Sequence, residues 1–216
     1  MRSFVVVLLG SLTLTSVASA QSIGADKGYI EGVAQSAISN VTSQSFGVEG
    51  GFTVMPRLQI YAEAGQVSNV ATAQISSAAQ QIAGVISQTQ SNVGYSVKQP
   101  VTFFVAGGKF LVPMDGKLQP YVMGGFGVAK VKQDATFSVN GTDVTSSLAQ
   151  PQYGSVQLGS DLSGTFTKPM LSIGGGVMWA AWQRLVVDVQ YRYGRVFAPD
   201  QGININRIGV GIGVRF

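Results

Sequence analysis

The sequence has no cysteine and no histidine, and only 11% of its 216 residues are charged. Without cysteine there is neither a disulfide framework nor a thiol to carry a lipid anchor at a cleavage site. Without histidine, Ser-His and Asp-His hydrolytic chemistry has no general base. With both absent, the imidazole and thiolate ligands of transition metals are missing too. A Ser-Lys arrangement would have to use Lys109, which no nucleophile motif accompanies. The runs Gly107-Gly108 and Gly174-Gly175-Gly176 lack the strand-to-helix context and the following Lys-Ser/Thr of a phosphate loop. Neither an enzyme nor a bound cofactor or metal is expected. The chain holds no basic run, so nucleic acid is not an expected partner. Although 45% of the residues are hydrophobic, no apolar run reaches the ~20 residues of a membrane-spanning helix. Any insertion into a membrane must be by strands.

At the N-terminus, Arg2, an apolar segment over residues 4–14 and Ala18-Ser19-Ala20 have the order of an export signal with an A-x-A cleavage site. The expectation is a signal peptide at 1–20, export through the Sec pathway, and one domain over 21–216. Cleavage removes Arg2, leaving 13 basic and 10 acidic residues, a net charge of +3.

At the other end, Ile208, Val210, Ile212, Val214 and Phe216 alternate with Arg207, Gly209, Gly211, Gly213 and Arg215. Side chains of a strand alternate between faces, so one face is apolar and the other is glycine and arginine. An apolar face on a last strand is an aggregation hazard in water. It is in place if the face meets lipid and the strand closes a barrel by pairing with the first.

The rest of the chain supplies the partners for such a strand. Residues 27–36 have strand composition with imperfect alternation. Phe46, Val48, Gly50, Phe52 and Val54 then alternate against Gly47, Glu49, Gly51 and Thr53. Met55-Pro56-Arg57 interrupts the run, and Leu58, Ile60, Ala62 and Ala64 alternate against Gln59, Tyr61, Glu63 and Gly65. So short a link makes an antiparallel hairpin. Short links recur at 113–117, between strands at 101–112 and 118–131, and at 182–184, between strands at 170–181 and 185–195. Three hairpins plus the first and last strands give eight. The other connections are unequal, with more than thirty residues in each of 68–100 and 132–167. Short turns on one side and long loops on the other is the outer-membrane arrangement, turns toward the periplasm and loops outside.

In the first long loop, Ile75, Ala79, Ile82 and Ile86 recur with a helical period, and Ser68 or Asn69 is placed to cap that helix. The expected role of its isoleucine stripe is packing on the loops or the barrel rim. In the second, Asn140-Gly141 lies between two alternating runs, a hairpin signal that extends the sheet beyond the membrane. Trp179, Trp182 and Phe216 at the turn side, with Tyr191 and Tyr193 toward the loops, fit interfacial belts.

If the apolar faces meet lipid, Glu49, Glu63, Lys109, Asp188, Arg192 and Arg207 project inward, together with Glu31. Eight strands leave an interior that side chains can fill. The expectation is therefore a lumen of paired charges, with a gate for small ions as the functional alternative.

The chain resembles the small eight-stranded, OmpA-like outer-membrane β-barrels, including the opacity-type proteins. The resemblance is carried by the signal segment, by Gln119-Pro120-Tyr121-Val122-Met123-Gly124-Gly125-Phe126-Gly127, by Asp188-Val189-Gln190-Tyr191-Arg192-Tyr193 and by the terminal Phe216. It implies an all-β, antiparallel, up-and-down transmembrane barrel in the outer membrane of a Gram-negative-type bacterium. It also implies a closing strand read by the barrel assembly machinery through Ile208, Val210, Ile212, Val214 and Phe216. The implied neighbours are outer-membrane lipid and lipopolysaccharide, with a surface partner for the loops at 68–100 and 132–167. Because the chain ends on that strand, the peptidoglycan-binding domain of some relatives is not expected. Family roles span envelope integrity, adhesion and small-solute passage, so the expectation is a non-enzymatic structural or surface-interaction protein, with a narrow porin as the alternative.

Overall fold

The structure, a computed structural model, describes residues 27–114, 116–159, 162–198 and 202–216. The signal peptide expected at 1–20, with its expected cleavage site, lies outside the described residues. Ten strands and one α-helix follow in order: β1 (Gly28–Ile38), β2 (Thr42–Met55), β3 (Leu58–Val67), α1 (Ala73–Ile86), β4 (Val93–Lys98), β5 (Val101–Leu111), β6 (Leu118–Val139), β7 (Thr142–Asp143), β8 (Ser163–Ala180), β9 (Leu185–Val196) and β10 (Ile203–Arg215). Eight of them, β1-β2-β3-β5-β6-β8-β9-β10, form an antiparallel up-and-down ring that β10 closes onto β1. At the seam, the Lys27 and Gly28 amides donate to the Phe216 carbonyl at 2.7 and 2.9 Å, and the Phe216 amide donates to Gly28 at 2.9 Å.

The partner of Glu31 on β2 is Glu49, and the path continues through Glu63, Val105, Gly127, Met170 and Val196 to Ile203 on β10. On its other side Glu31 pairs with Gly213, ten residues further along β10 than Ile203. One circuit of the barrel therefore shears the register by ten residues, and closure with that shear tilts the strands by roughly 40°. Cross-strand rows wind helically around the interior.

β1 alternates cleanly despite its irregular sequence, with Tyr29, Glu31, Val33, Gln35 and Ala37 buried and Ile30, Gly32, Ala34, Ser36 and Ile38 outward. The irregularity comes from mixing both polarities on the inner face. On β10 the inward positions between Arg207 and Arg215 are Gly209, Gly211 and Gly213. A Cβ on Gly211 would lie 3.0 Å from Oε2 of Glu31 and 3.3 Å from Nε2 of Gln190. The missing side chains are the room in which long neighbouring ones lie.

The long connections are not open loops. β6 runs to Val139 and β8 starts at Ser163, so both strands rise through the expected 132–167 loop and remain paired from Leu118↔Trp179 to Asp134↔Ser163. β4 and β5 lie end to end along β6, with Lys98 opposite Asp134 and Val101 opposite Val131. Between them, Pro100 can donate no ladder bond, and the Gln99 carbonyl turns to the Val70 amide at 2.9 Å.

At this level the hydropathy pattern of β6 changes phase while its in-and-out alternation continues unbroken. Lower down Val122, Phe126 and Val128 point outward; higher up Lys130, Lys132 and Thr136 do, while Val131, Ala135, Phe137 and Val139 turn inward. Asn140 and Gly141 close the tip with φ of 51° and 81°, the two positive values that a tight hairpin demands, and β7 returns for two residues.

α1 lies over this extension. Ile75, Ala79, Ala83 and Ile86 are buried against Ala135, Phe137, Val139, Val144, Leu148 and Leu162, with Ile82 partly buried. Its N-cap is Thr72, whose hydroxyl accepts from the Ile75 amide at 3.4 Å, and not Ser68 or Asn69. The helix begins only at Ala73, and Asn69 is engaged elsewhere: its Oδ1 accepts from the amides of Ala71 and Gln99 at 3.0 and 2.9 Å. The result is a small apolar cap standing on one wall of the barrel.

Candidate functional site

Glu31, Glu49 and Glu63 are consecutive partners on β1, β2 and β3 and all point inward. Like charges directly opposite one another repel. The cations lie on a second row, Lys109, Met123, Gly174, Arg192 and Arg207, which the shear winds past the glutamates from the facing wall. Arg192 spans the two inner acids: Nη1 donates to Oε2 of Glu63 at 2.7 Å, Nη2 to Oε2 of Glu49, and Nε to Oε1 of Gln190. Lys109 Nζ donates to Oε1 of Glu49 at 2.6 Å and sits 4.3 and 4.4 Å from the ring centres of Tyr29 and Tyr121. Arg207 Nη1 donates to Oε1 of Glu63 at 2.8 Å and to Oε1 of Gln35 at 3.1 Å, over the Phe103 ring at 4.3 Å.

All six charged residues singled out in the sequence, and Glu31, point into the lumen, but they do not share one fate. Glu49, Glu63, Lys109, Arg192 and Arg207 form a continuous ion-paired chain. Asp188 stands outside it, its Oδ2 accepting from the Tyr121 hydroxyl at 2.6 Å. Among the described residues, neither carboxylate oxygen of Glu31 meets a hydrogen-bond donor. The sequence reading missed the tyrosines, although Tyr29, Tyr61 and Tyr121 share the inward parity of the charges. Tyr29 donates to Oε1 of Glu49 at 2.5 Å, so this phenol and that of Tyr121 complete carboxylates that three cations cannot satisfy alone, whereas the Tyr61 hydroxyl meets no hydrogen-bond partner among the described residues. Ions held this far from water lose several kcal/mol of hydration each, and the bonds of the five chained residues act against that loss.

The network is also closed off. Arg192, Arg207 and Lys109 are 0 to 1% exposed. Toward the loops the lumen is filled by Val67, Val101, Phe103, Val131, Met170 and Ile205, and toward the turns by Leu111, Met178 and Ala180. No pattern of charge announces this apolar packing; its signal is the run Val101-Thr102-Phe103-Phe104-Val105, apolar in both phases. A solute crossing the barrel would have to separate Arg192 from two carboxylates and displace the packing above it.

On the outside, Ile208, Val210, Ile212, Val214 and Phe216 face away from the barrel, Phe216 edge-on to Phe52 with ring centres 6.1 Å apart. Trp179 and Trp182 are exposed at the turn end. Tyr191 and Tyr193 stand nearer the loops, each hydroxyl donating at 2.8 Å, to Asn206 and Asn204. Among the described residues no group of three or more acidic side chains is arranged to hold a metal ion.

No protein-family model matches the chain, and no curated protein matches it. Solved structures do. Neisserial surface protein A is 13% identical with a TM-score of 0.53, over 88% of this chain and 96% of that one. A major outer membrane protein from Thermus thermophilus is 9% identical with a TM-score of 0.49, over 88% and 99%. Ail, the attachment invasion locus protein of Yersinia pestis, is 14% identical with a TM-score of 0.47, over 88% and 97%. The chain has the all-β fold of the small eight-stranded outer-membrane barrels, in keeping with the OmpA-like and opacity-type proteins.

Proposed function

We propose that the protein is a non-enzymatic outer-membrane barrel whose transmembrane part anchors and whose cap interacts at the cell surface, in an adhesion-like or envelope-structural role. The observation that carries this reading is the division of labour between two interiors: the lumen is filled by an ion-paired chain of five buried side chains and by apolar packing at both ends, while residues of the two long connections form a core of their own outside it. The narrow-porin alternative would need a path through side chains that have almost no accessible surface. In planar bilayers the refolded protein should give no unitary conductance steps; stable steps that change with Arg192→Ala would establish the porin instead.

The orientation follows the same logic, turns toward the periplasm and cap outside. Lys98, Lys130 and Lys132 stand exposed just above Phe126 and Val128, where the phosphates of lipopolysaccharide meet a lipid-facing wall. A membrane-impermeant amine reagent on intact cells should label Lys132 and leave Lys117 unmodified; the opposite pattern would invert the topology. For biogenesis, the outward face of β10 ending in Phe216 is the segment offered to the barrel assembly machinery, and Phe216 deletion should lower the assembled fraction in cells.

A further inference from the structure

The charges of the described residues are unevenly divided along the barrel axis. The acids lie either in the lumen or, as Asp134 and Asp143, at the loop end; the turn-side rim carries Lys27, Arg57, Lys117 and Arg184. One of the cations stands beside a groove. The β8–β9 turn folds back with the Ala181 and Trp182 amides both donating to the Leu185 carbonyl, at 3.1 and 3.3 Å. Trp182, Gln183, Arg184, Leu185 and Val214 line a shallow, mostly apolar depression of about 300 Å³ on the outer wall. Leu185 and Val214 are cross-strand partners facing outward, so the depression continues the lipid-facing surface. Trp182 is 74% exposed beside it. The Arg184 guanidinium makes no hydrogen bond or ion pair with the described residues, its backbone carbonyl alone being used, by the Arg215 amide at 2.9 Å.

An indole at an interface, an apolar floor running into the hydrocarbon region and an unengaged guanidinium at the mouth suit one class of molecule. We propose that the β8–β9 turn and the adjoining end of β10 bind an anionic phospholipid of the leaflet bordering the turns. Arg184 takes the phosphodiester as a bidentate partner, Trp182 packs at the glycerol level, and Leu185 and Val214 carry the first part of an acyl chain. The neighbouring rim cations add a diffuse attraction for the same charge. The site rests on the transmembrane reading of the barrel.

The chain has two tryptophans, which allows the two ideas to be tested apart. Trp179→Phe leaves Trp182 as the sole reporter, and Trp182→Phe leaves Trp179 on the lipid-facing wall of β8. Each is reconstituted into phosphatidylcholine vesicles containing brominated phosphatidylglycerol or brominated phosphatidylcholine. Trp182 should be quenched by the anionic lipid at about fivefold lower mole fraction than by the zwitterionic one, the equivalent of ~1 kcal/mol for one arginine at an anionic surface. Arg184→Gln should remove that preference without altering Trp179 quenching. Equal quenching of Trp182 by both lipids, with Trp179 quenched by both, overturns the site and leaves the barrel in the membrane. Trp179 unquenched by either lipid overturns the membrane reading and the site with it. Added inorganic phosphate should not abolish the preference; if it does, the site takes a free anion and the lipid assignment falls.

Discussion

The barrel lumen and the cap are two interiors made by one chain, and they are built on opposite rules. The lumen encloses charges joined through tyrosine and glutamine, inside a wall whose outer face is apolar. The cap encloses isoleucine, alanine and phenylalanine under an uncharged helix, and its outer face is polar. β6 belongs to both, and its change of phase between Val128 and Val131 marks where the solvent changes from lipid to water. The comparison teaches that alternation alone does not say which face is inside; the medium decides.

The largest effect expected from breaking the comparison is in the lumen. Arg192→Ala leaves Glu49 and Glu63 buried with fewer donors and should cost about 3–5 kcal/mol, read as a lower midpoint in urea for the whole barrel. An unchanged midpoint would show that the pairs do not matter to folding. In the cap, Phe137→Ala opens a cavity worth about 3 kcal/mol or more, yet the damage should stay local. Proteolysis within residues 140–160 should accelerate while barrel unfolding keeps its midpoint; a joint loss would make the two interiors one cooperative unit. Thr72→Ala removes the helix cap and should weaken α1 by about 1 kcal/mol, seen as faster hydrogen exchange at Ile75 and Ser76.

The smallest effect concerns pH. Asp143 accepts from the Thr145 hydroxyl and amide at 2.6 and 2.9 Å, and these bonds hold its carboxyl below the usual carboxylate range. A depressed folded value means that its contribution is complete above the unfolded value near 3.9 and is lost as pH falls through the folded one. Amide exchange at Thr145 should therefore quicken relative to the barrel on acidification below about pH 4. Asp143→Asn should remove that dependence.

Most of the barrel was legible because lipid imposes a strict period of two on outward positions, as in Phe46, Val48, Phe52 and Val54. The inward charges followed from the same parity. The hairpin at the top of β6 was legible from Asn140-Gly141, but the unbroken run of β6 into it and the matching rise of β8 were not, since an inverted hydropathy pattern next to a regular one looks like the end of a strand. β4 was missed because Val93-Gly94-Tyr95-Ser96-Val97 is short and follows a helix. The pairing of Glu49 with both Lys109 and Arg192 was out of reach for a further reason: strand position gives height only along one strand, and the ten-residue shear decides which heights meet. Glu31 and Asp188 share the parity of the paired acids, and nothing in their local sequence separates them.

β6 runs unbroken for 22 residues from the turn side into the cap, about 70 Å of chain at the rise of a strand, and β4 rides on its upper part. The cap is thus mounted on a rigid mast instead of a tether. Every copy in a membrane presents its cap at the same tilt and azimuth relative to the barrel. For the surface partner proposed above, the orientation of the cap is already fixed, so little rotational freedom would remain to be lost on docking.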